Sequence, residues 1–375
     1  MIYLDYSANT PVDARVLEQF CAVERRCIGN ANSHHQAGSA AKAEIDAATI
    51  KIASLLGVQP AEIIYTSGAS EANNFALKGL ARLSRHAGRH IISTPLEHSS
   101  ASGTLTALQE QGYEIDLLDV KQDGTVDLEH LKDLLRPDTI CVAVTLVDSE
   151  LGVVQPVQEI AAILKAYPHC HLHVDATQAV GKIPVSFEGV DTMSLTAHKF
   201  YGLNGIGLLL KRRNLALEPL IHGGESTTIY RSGTPTVALA SSLACALDFA
   251  VTDLPGRVDH VAKLNAELRA ALSTYPLVRI NSPDHAIPHV LNLSVRNVKG
   301  TVFQRELDAK GVCVSVKSAC SSDGLPSRAV FAVSRDRRNA LSSWRISLSH
   351  LTTEEEIKAF LQAFDVCYRE LTAVH

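Results

Sequence analysis

The 375-residue chain has no long uninterrupted apolar run, no Cys-x-x-Cys pair and no block of like charge. Each absence removes a class of function. Without an apolar stretch near membrane-span length, the chain is not expected to cross a bilayer. Its opening, Met1-Ile2-Tyr3-Leu4-Asp5, has no basic segment and meets a carboxylate almost at once, the reverse of an export signal. A cytoplasmic protein is expected. The eight cysteines (21, 27, 141, 170, 245, 313, 320 and 367) are scattered singly, which suits neither a disulfide framework nor a zinc site. Most are expected to be buried, reduced thiols. The net charge of −5 is spread with both signs interspersed, so there is no footprint for direct nucleic-acid binding or for a membrane surface. Small molecules and proteins are the default partners.

What is present is an ordinary globular composition, 46% hydrophobic, in a chain long enough for one large core and a smaller second unit. From Glu62 to Val174, short β-rich runs (62–65, 90–93, 115–118, 140–146, 171–174) alternate with helical patterns. That rhythm predicts an α/β domain with a mostly parallel sheet covered by helices on both faces. A helix over 39–56 is expected to stop at Gly57. Asp253-Leu254-Pro255-Gly256 is the best boundary candidate, read as a turn. Beyond it a helix (257–275), strands near 290–295, 312–316 and 344–348, and a last helix opened by a Thr-x-x-Glu capping box suggest a compact α+β unit.

Several segments carry chemistry. Asp191 to Leu210 runs from a strand into His198-Lys199 and a glycine-spaced turn, which puts Lys199 at a strand end. An amine partly desolvated there, beside a cationic His198, becomes a nucleophile toward a carbonyl; the alternative is a solvated loop lysine. Thr66-Ser67-Gly68-Ala69-Ser70-Glu71, between strand and helix, is a phosphate cradle in physical terms, or an N-cap formed by Ser67 or Ser70. It matches neither a Walker loop nor a dinucleotide fingerprint. Asp175 ends a buried-looking strand and suits the protonated ring nitrogen of pyridoxal phosphate (PLP), or else caps the next helix. His169, His171 and His173 alternate on one strand, yet no spacing completes a metal site, and no metal is expected. His98, after another strand, is placed to stack on a planar cofactor or serves structurally. Arg345 has the fork to hold a carboxylate or forms a surface ion pair. Cys320 precedes a polar loop with Lys317 three residues before it, a setting that lowers a thiol pKa.

In order along nearly the whole chain, Tyr3-Leu4-Asp5-Tyr6-Ser7-Ala8-Asn9-Thr10-Pro11, the 66–74 loop, Glu97-His98, Glu150-Leu151-Gly152, His173 to Gln178, His198-Lys199, Arg231 to Thr234 and Ser318-Ala319-Cys320-Ser321-Ser322 resemble the cysteine desulfurases. These are NifS-like PLP enzymes of the class V aminotransferase group, here with the Ser-Ala-Cys-Ser-Ser context. The resemblance implies PLP fold type I, with a large domain over 13–256 and a small α+β domain from 1–12 and 257–375. It implies that Lys199 holds PLP covalently, Asp175 pairs with the ring nitrogen, His98 stacks and moves protons, and Gln178 and Ser149 adjoin the ring. Ala69, Ser70, Thr196 and His198 would hold the phosphate, joined by Thr234 from the second subunit of a homodimer. Arg345, with Ser149, would bind the carboxylate of L-cysteine, and Cys320 would take its sulfur as a persulfide, release alanine, and pass the sulfur to an acceptor protein. The destination, iron–sulfur clusters, thiolated tRNA or another product, stays open.

Three departures stand out. The usual Asn-Asn-Glu is Asp148-Ser149-Glu150, the glycine-rich segment reads Glu225-Ser226-Thr227-Thr228, and a usual glycine before the reactive cysteine is Lys317. The alternatives are a PLP lyase or aminotransferase acting on another amino acid, and a degenerate relative that binds partners without catalysis.

Overall fold

The computed structural model describes residues 1–317 and 325–373; Cys320 lies outside them. The strands are β1 (Ile2–Tyr3), β2 (Ile63–Thr66), β3 (His90–Ser93), β4 (Glu114–Leu117), β5 (Thr139–Thr145), β6 (His171–Asp175), β7 (Thr192–Thr196), β8 (Gly207–Lys211), β9 (Val278–Ile280), β10 (Val290–Val295), β11 (Val312–Cys313) and β12 (Ser343–Ser347). Seven of them form one sheet in the order β2-β8-β7-β6-β5-β3-β4. It is parallel from β4 to β7, and only β8 runs against its neighbours. Every residue of β5, β7 and β8 is buried, because helices cover both faces and leave no side for polar alternation.

The second sheet, β12-β10-β9, is antiparallel and follows the period of two. Along β12, Trp344 and Ile346 enter an apolar cluster with Phe303, Phe360 and Phe364, while Arg345 between them faces the other way. The single tryptophan stacks on Phe303 with ring centroids 5.1 Å apart. Leu4 joins this cluster from the opposite end of the chain. The N-terminal segment stitches the two sheets together: β1 lies parallel to β11, Ser7 N–H donates to Ser347 Oγ, and Thr10 N–H donates to the His198 carbonyl.

Four expectations shift. The segment 66–71, expected between strand and helix, is partly helical: the helix begins at Ala69, so Ala69 and Ser70 are in its first turn. Asp253 to Gly256 is a helix junction and not a loop: Val237–Thr252 and Leu254–Leu272 meet at a 66° bend, with Pro255 in the first turn of the second helix, where its fixed φ is tolerated. The strand expected over 312–316 is paired only at Val312–Cys313, after which Ser315 bridges to Arg345. Of the described cysteines, Cys141, Cys170 and Cys367 are buried and Cys21, Cys27, Cys245 and Cys313 are half-buried, all as free thiols. Gly57 does end the helix Gln36–Leu56, in the left-handed conformation that relieves its last carbonyls. Among the described residues no single helix is long and apolar enough to cross a membrane.

Candidate active site

The carboxyl ends of β3, β5, β6 and β7 open into one cleft of about 330 Å³, lined by His98, Ser149, Asp175, Gln178, Lys199 and Arg345 among others. In a largely parallel sheet this is where strand ends leave backbone and side chains free to meet a ligand. The register sets Thr145, Asp175 and Ser194 in one row across β5, β6 and β7.

At one end of the cleft lies the helix Ala69–Ser84. Its N-cap is Gly68, with φ +153° and no side-chain cap, so neither Ser67 nor Ser70 closes the helix. The first-turn N–H groups and the dipole therefore favour an anion. A side chain at Gly207 on β8 would come within 2.7 Å of Gly68 Cα, so the glycine lets strand and turn approach this closely. Ala69, Ser70, Thr196 and His198 all line this end. Thr196 Oγ1 and His198 Nδ1 are hydrogen-bonded at 3.1 Å. His198 is not cationic: burial, then the charges of Lys199 and Lys182, push it down to about 4. Its role beside Lys199 is that of a neutral hydrogen-bonding ring. Thr234 is exposed and lines a separate depression with Tyr65 and Arg231. One chain does not bring it into the cleft.

Asp175 forms the floor. Its Oδ1 accepts from Thr177 N–H at 2.9 Å and its Oδ2 from Asn73 Nδ2 at 2.7 Å. Asn73, fully buried, also donates to Ser100 Oγ and accepts from Ser194 Oγ, while His173 Nε2 meets Asn73 Oδ1 at 3.0 Å. Burial pushes His173 down to about 4, which makes it a structural imidazole between Asn73 and Thr192. Ser100 continues the chain to His98: Ser100 N–H donates to Nδ1 at 3.2 Å, so the neutral ring carries its proton on Nε2. Burial lowers the His98 pKa, with Asp175 opposing and Lys199 assisting.

Lys199 Nζ donates to the carbonyls of Ser7 (2.8 Å) and Ala8 (2.6 Å) from the N-terminal segment. Gln178 Nε2 donates to the same Ser7 carbonyl at 2.9 Å. Opposite, Arg345 is buried; it donates to Asp5 Oδ1 at 2.8 Å and to the Ser149 carbonyl at 2.7 Å. It is thus a buried ion pair and not a surface one. Arg345 Nε, Ser7 Oγ and Thr177 Oγ1 are buried without a partner among the described residues, and all three residues line the cleft. Asp148, turned away beneath Ser149, accepts from the N–H groups of Glu150 and Leu151, and burial raises it to about 7. An electrophile-seeking amine, a fixed carboxylate and an anion cradle therefore surround one cleft. Among the described residues no cluster of His, Cys, Asp or Glu could hold a metal.

Sequence reasoning missed Asn73, Ser100, Ser194 and the Ser7–Ala8 carbonyls. Asn73 alone had a signal, a polar residue one helical turn beyond the cradle; backbone carbonyls have none.

The sequence profile of the class-V aminotransferases matches residues 2–360. The chain is 40% identical to the cysteine desulfurase IscS of Proteus mirabilis, over 95% of this chain and 90% of that one. It is 35% identical to a NifS/IcsS protein homolog of Lactobacillus delbrueckii subsp. bulgaricus, over 100% and 99%. A solved NifS-like protein superposes with a TM-score of 0.91 at 36% identity, covering 97% of this chain and 98% of that one. SspA, solved in complex with cysteine, superposes at 0.83 with 30% identity, over 94% of this chain and 100% of that chain.

Proposed function

The chain belongs to the class-V aminotransferase family, and from that premise we propose that it is a PLP-dependent cysteine desulfurase. The observation that carries this reading is the convergence of Lys199, Asp175 and an uncapped helix N-terminus on one cleft. Those groups match the three poles of PLP: an aldehyde for the amine, a ring nitrogen for the carboxylate and a phosphate for the helix. The Ser7 and Thr177 hydroxyls, without a partner among the described residues, would supply further polar contacts. PLP, when bound, serves as the electron sink for bonds broken at the amino acid's α-carbon.

The chain's own residues do the rest. Lys199 would hold the cofactor, and its amine has the Ser7 and Ala8 carbonyls within reach. Asp175, held by Thr177 and Asn73, would present its carboxylate to the ring nitrogen. His98 offers a neutral ring with the proton on Nε2, able to accept at that face only after giving it up. Arg345, steadied by Asp5 and the Ser149 carbonyl, has its Nε left for the carboxylate of L-cysteine. The Cys320 thiolate attacks the substrate sulfur: the Cβ–Sγ bond breaks, an S–S bond forms, and protonation of the carbon yields alanine. The persulfide then goes to an acceptor protein.

We assign residues 13–256 to a large PLP-binding domain, and 1–12 with 257–375 to a small one. The exposure of Thr234 outside the cleft supports a homodimer, in which its hydroxyl would serve the phosphate of the second subunit. Incubation with PLP and L-cysteine should release alanine and leave a persulfide that Cys320→Ser abolishes. Undiminished alanine release in Cys320→Ser refutes the role of Cys320. Ser149 at the cleft wall supports a second reading, a lyase or aminotransferase for another amino acid; turnover of that amino acid without turnover of cysteine would establish it.

A further inference from the structure

Behind Lys199 lies a second buried amine that the chemistry above does not use. Lys182 is 5% exposed, and its Nζ donates to Gln178 Oε1 at 2.9 Å. Gln178 Nε2 donates to the Ser7 carbonyl at 2.9 Å, the same carbonyl that accepts from Lys199 Nζ at 2.8 Å. The two amines therefore stand at opposite ends of one hydrogen-bonded relay. A glutamine amide fits the same space in either of two orientations, and its partners decide between them. Here a backbone carbonyl, which only accepts, faces one end and a lysine donor faces the other, so only one orientation satisfies both.

The titratable and charged groups that act on Lys182 are Lys199, Arg345, His198 and His289, and those that act on Lys199 include His98 and His198. Burial, then Lys199 and Arg345, lower Lys182 to about 7. A buried amine among cations is costly to fold, and a methionine would fill similar space with less desolvation. Packing alone does not account for a lysine.

We propose that Lys182 is a positioning residue: it locks the Gln178 amide with its N–H edge on the Ser7 carbonyl, and so limits how strongly that carbonyl can hold the Lys199 ammonium. The proposal rests on the reading of the cleft as a PLP site. A carbonyl shared between Gln178 and Lys199 is a weaker acceptor for either. Unlocking Gln178 leaves the carbonyl to Lys199 and favours the protonated amine, which cannot attack an aldehyde.

The test is the pH dependence of the rate at which the cofactor-free full chain captures PLP, followed by visible absorbance. Lys182→Met should raise the pH midpoint by about one unit and slow capture near neutral pH about tenfold. Gln178→Ala should raise it similarly, and the double variant should move no further, because both changes act on one contact. A Lys182→Met midpoint within about 0.2 unit of the unsubstituted protein, or shifts that add in the double variant, overturns the proposal. Lys182→Arg keeps the donor and should restore the midpoint. If Lys182→Met does not fold, a Lys182→Arg midpoint displaced as far as that of Gln178→Ala overturns it instead. Absence of any visible band with the unsubstituted protein would refute the PLP reading itself, a separate outcome.

Discussion

The two walls of the cleft are built on opposite terms. On the Asp175 wall the carboxylate is fixed from the large sheet and the helix behind it: both its oxygens accept, and Asn73 is shared among Asp175, Ser100, Ser194 and His173, with Thr177 Oγ1 beside them as the one hydroxyl unmet among the described residues of this wall. On the Arg345 wall the guanidinium leans on Asp5 and on a loop carbonyl, and its Nε has no partner among the described residues. A carboxylate fixed on both oxygens before anything binds suits a group that stays. A wall with a spare buried donor suits one that comes and goes, because the donor's desolvation cost is recovered only while the ligand is there.

The sharpest way to break that contrast is Asp175→Asn. Thr177 N–H and Asn73 Nδ2 both donate to the carboxylate, so an amide would set its own N–H₂ against one of those donors. On the PLP reading it would also remove the carboxylate proposed to face the ring nitrogen. Turnover of L-cysteine should fall by about 10²-fold or more while PLP is still bound, measured by alanine release and visible absorbance. Retained turnover would mean that the wall is scaffolding only.

Arg345→Lys should act differently. A lysine is a point charge and cannot span Asp5 and the Ser149 carbonyl while offering a further donor to the cleft. The KM for L-cysteine should rise about tenfold or more with a smaller change in kcat. An equal fall in kcat with KM unchanged would place Arg345 in the Asp175 class.

Glu97 tests how rigidly the first wall is held. Its Oε1 accepts from Thr94 Oγ1 and from the N–H of Thr145, the residue paired with Asp175 in the sheet. Burial raises its carboxyl from an ordinary 4.5 to about 8. The folded state thus binds the proton more tightly than the unfolded one. The stability this confers is complete below pH 4.5 and is lost as pH rises toward 8. Glu97→Gln keeps the acceptor and removes the titration. Denaturant unfolding of the two proteins at pH 5 and pH 8 should show a flatter profile for the variant, by about 1.4 kcal/mol or more. Parallel profiles would show that Glu97 is solvated.

Much of this was legible in the sequence because it rests on local pattern. Alternating buried runs and helical periods gave the parallel sheet, and Lys199, Asp175 and His98 announce themselves as chemically able residues at strand ends. What was not legible depends on long-range contact. Nothing near Arg345 in sequence points to Asp5, which reaches it because β1 lies parallel to β11 beside β12. His198 reads as a candidate cation until its burial and the two lysines facing it are known. The Ser7 and Ala8 carbonyls have no side-chain signature at all.

Ser149 offers the finest test, since it touches the Arg345 wall with backbone and side chain separately. Its carbonyl accepts from Arg345, a contact that any residue preserves, and its hydroxyl is the part that departs from the family's usual asparagine. Ser149→Asn should therefore leave the arginine in place and add an amide to the cleft. If the departure tunes only the reach toward the substrate, KM for L-cysteine should fall about two- to fivefold with kcat nearly constant, a change of under about 1 kcal/mol, within the worth of one hydrogen bond. If the same substitution creates turnover of cysteine where there was none, the hydroxyl selects a different amino acid and the contrast between the walls is one of substrate choice. Steady-state kinetics on cysteine and a panel of other amino acids separate the two, because the first outcome changes one constant and the second changes the order of the panel.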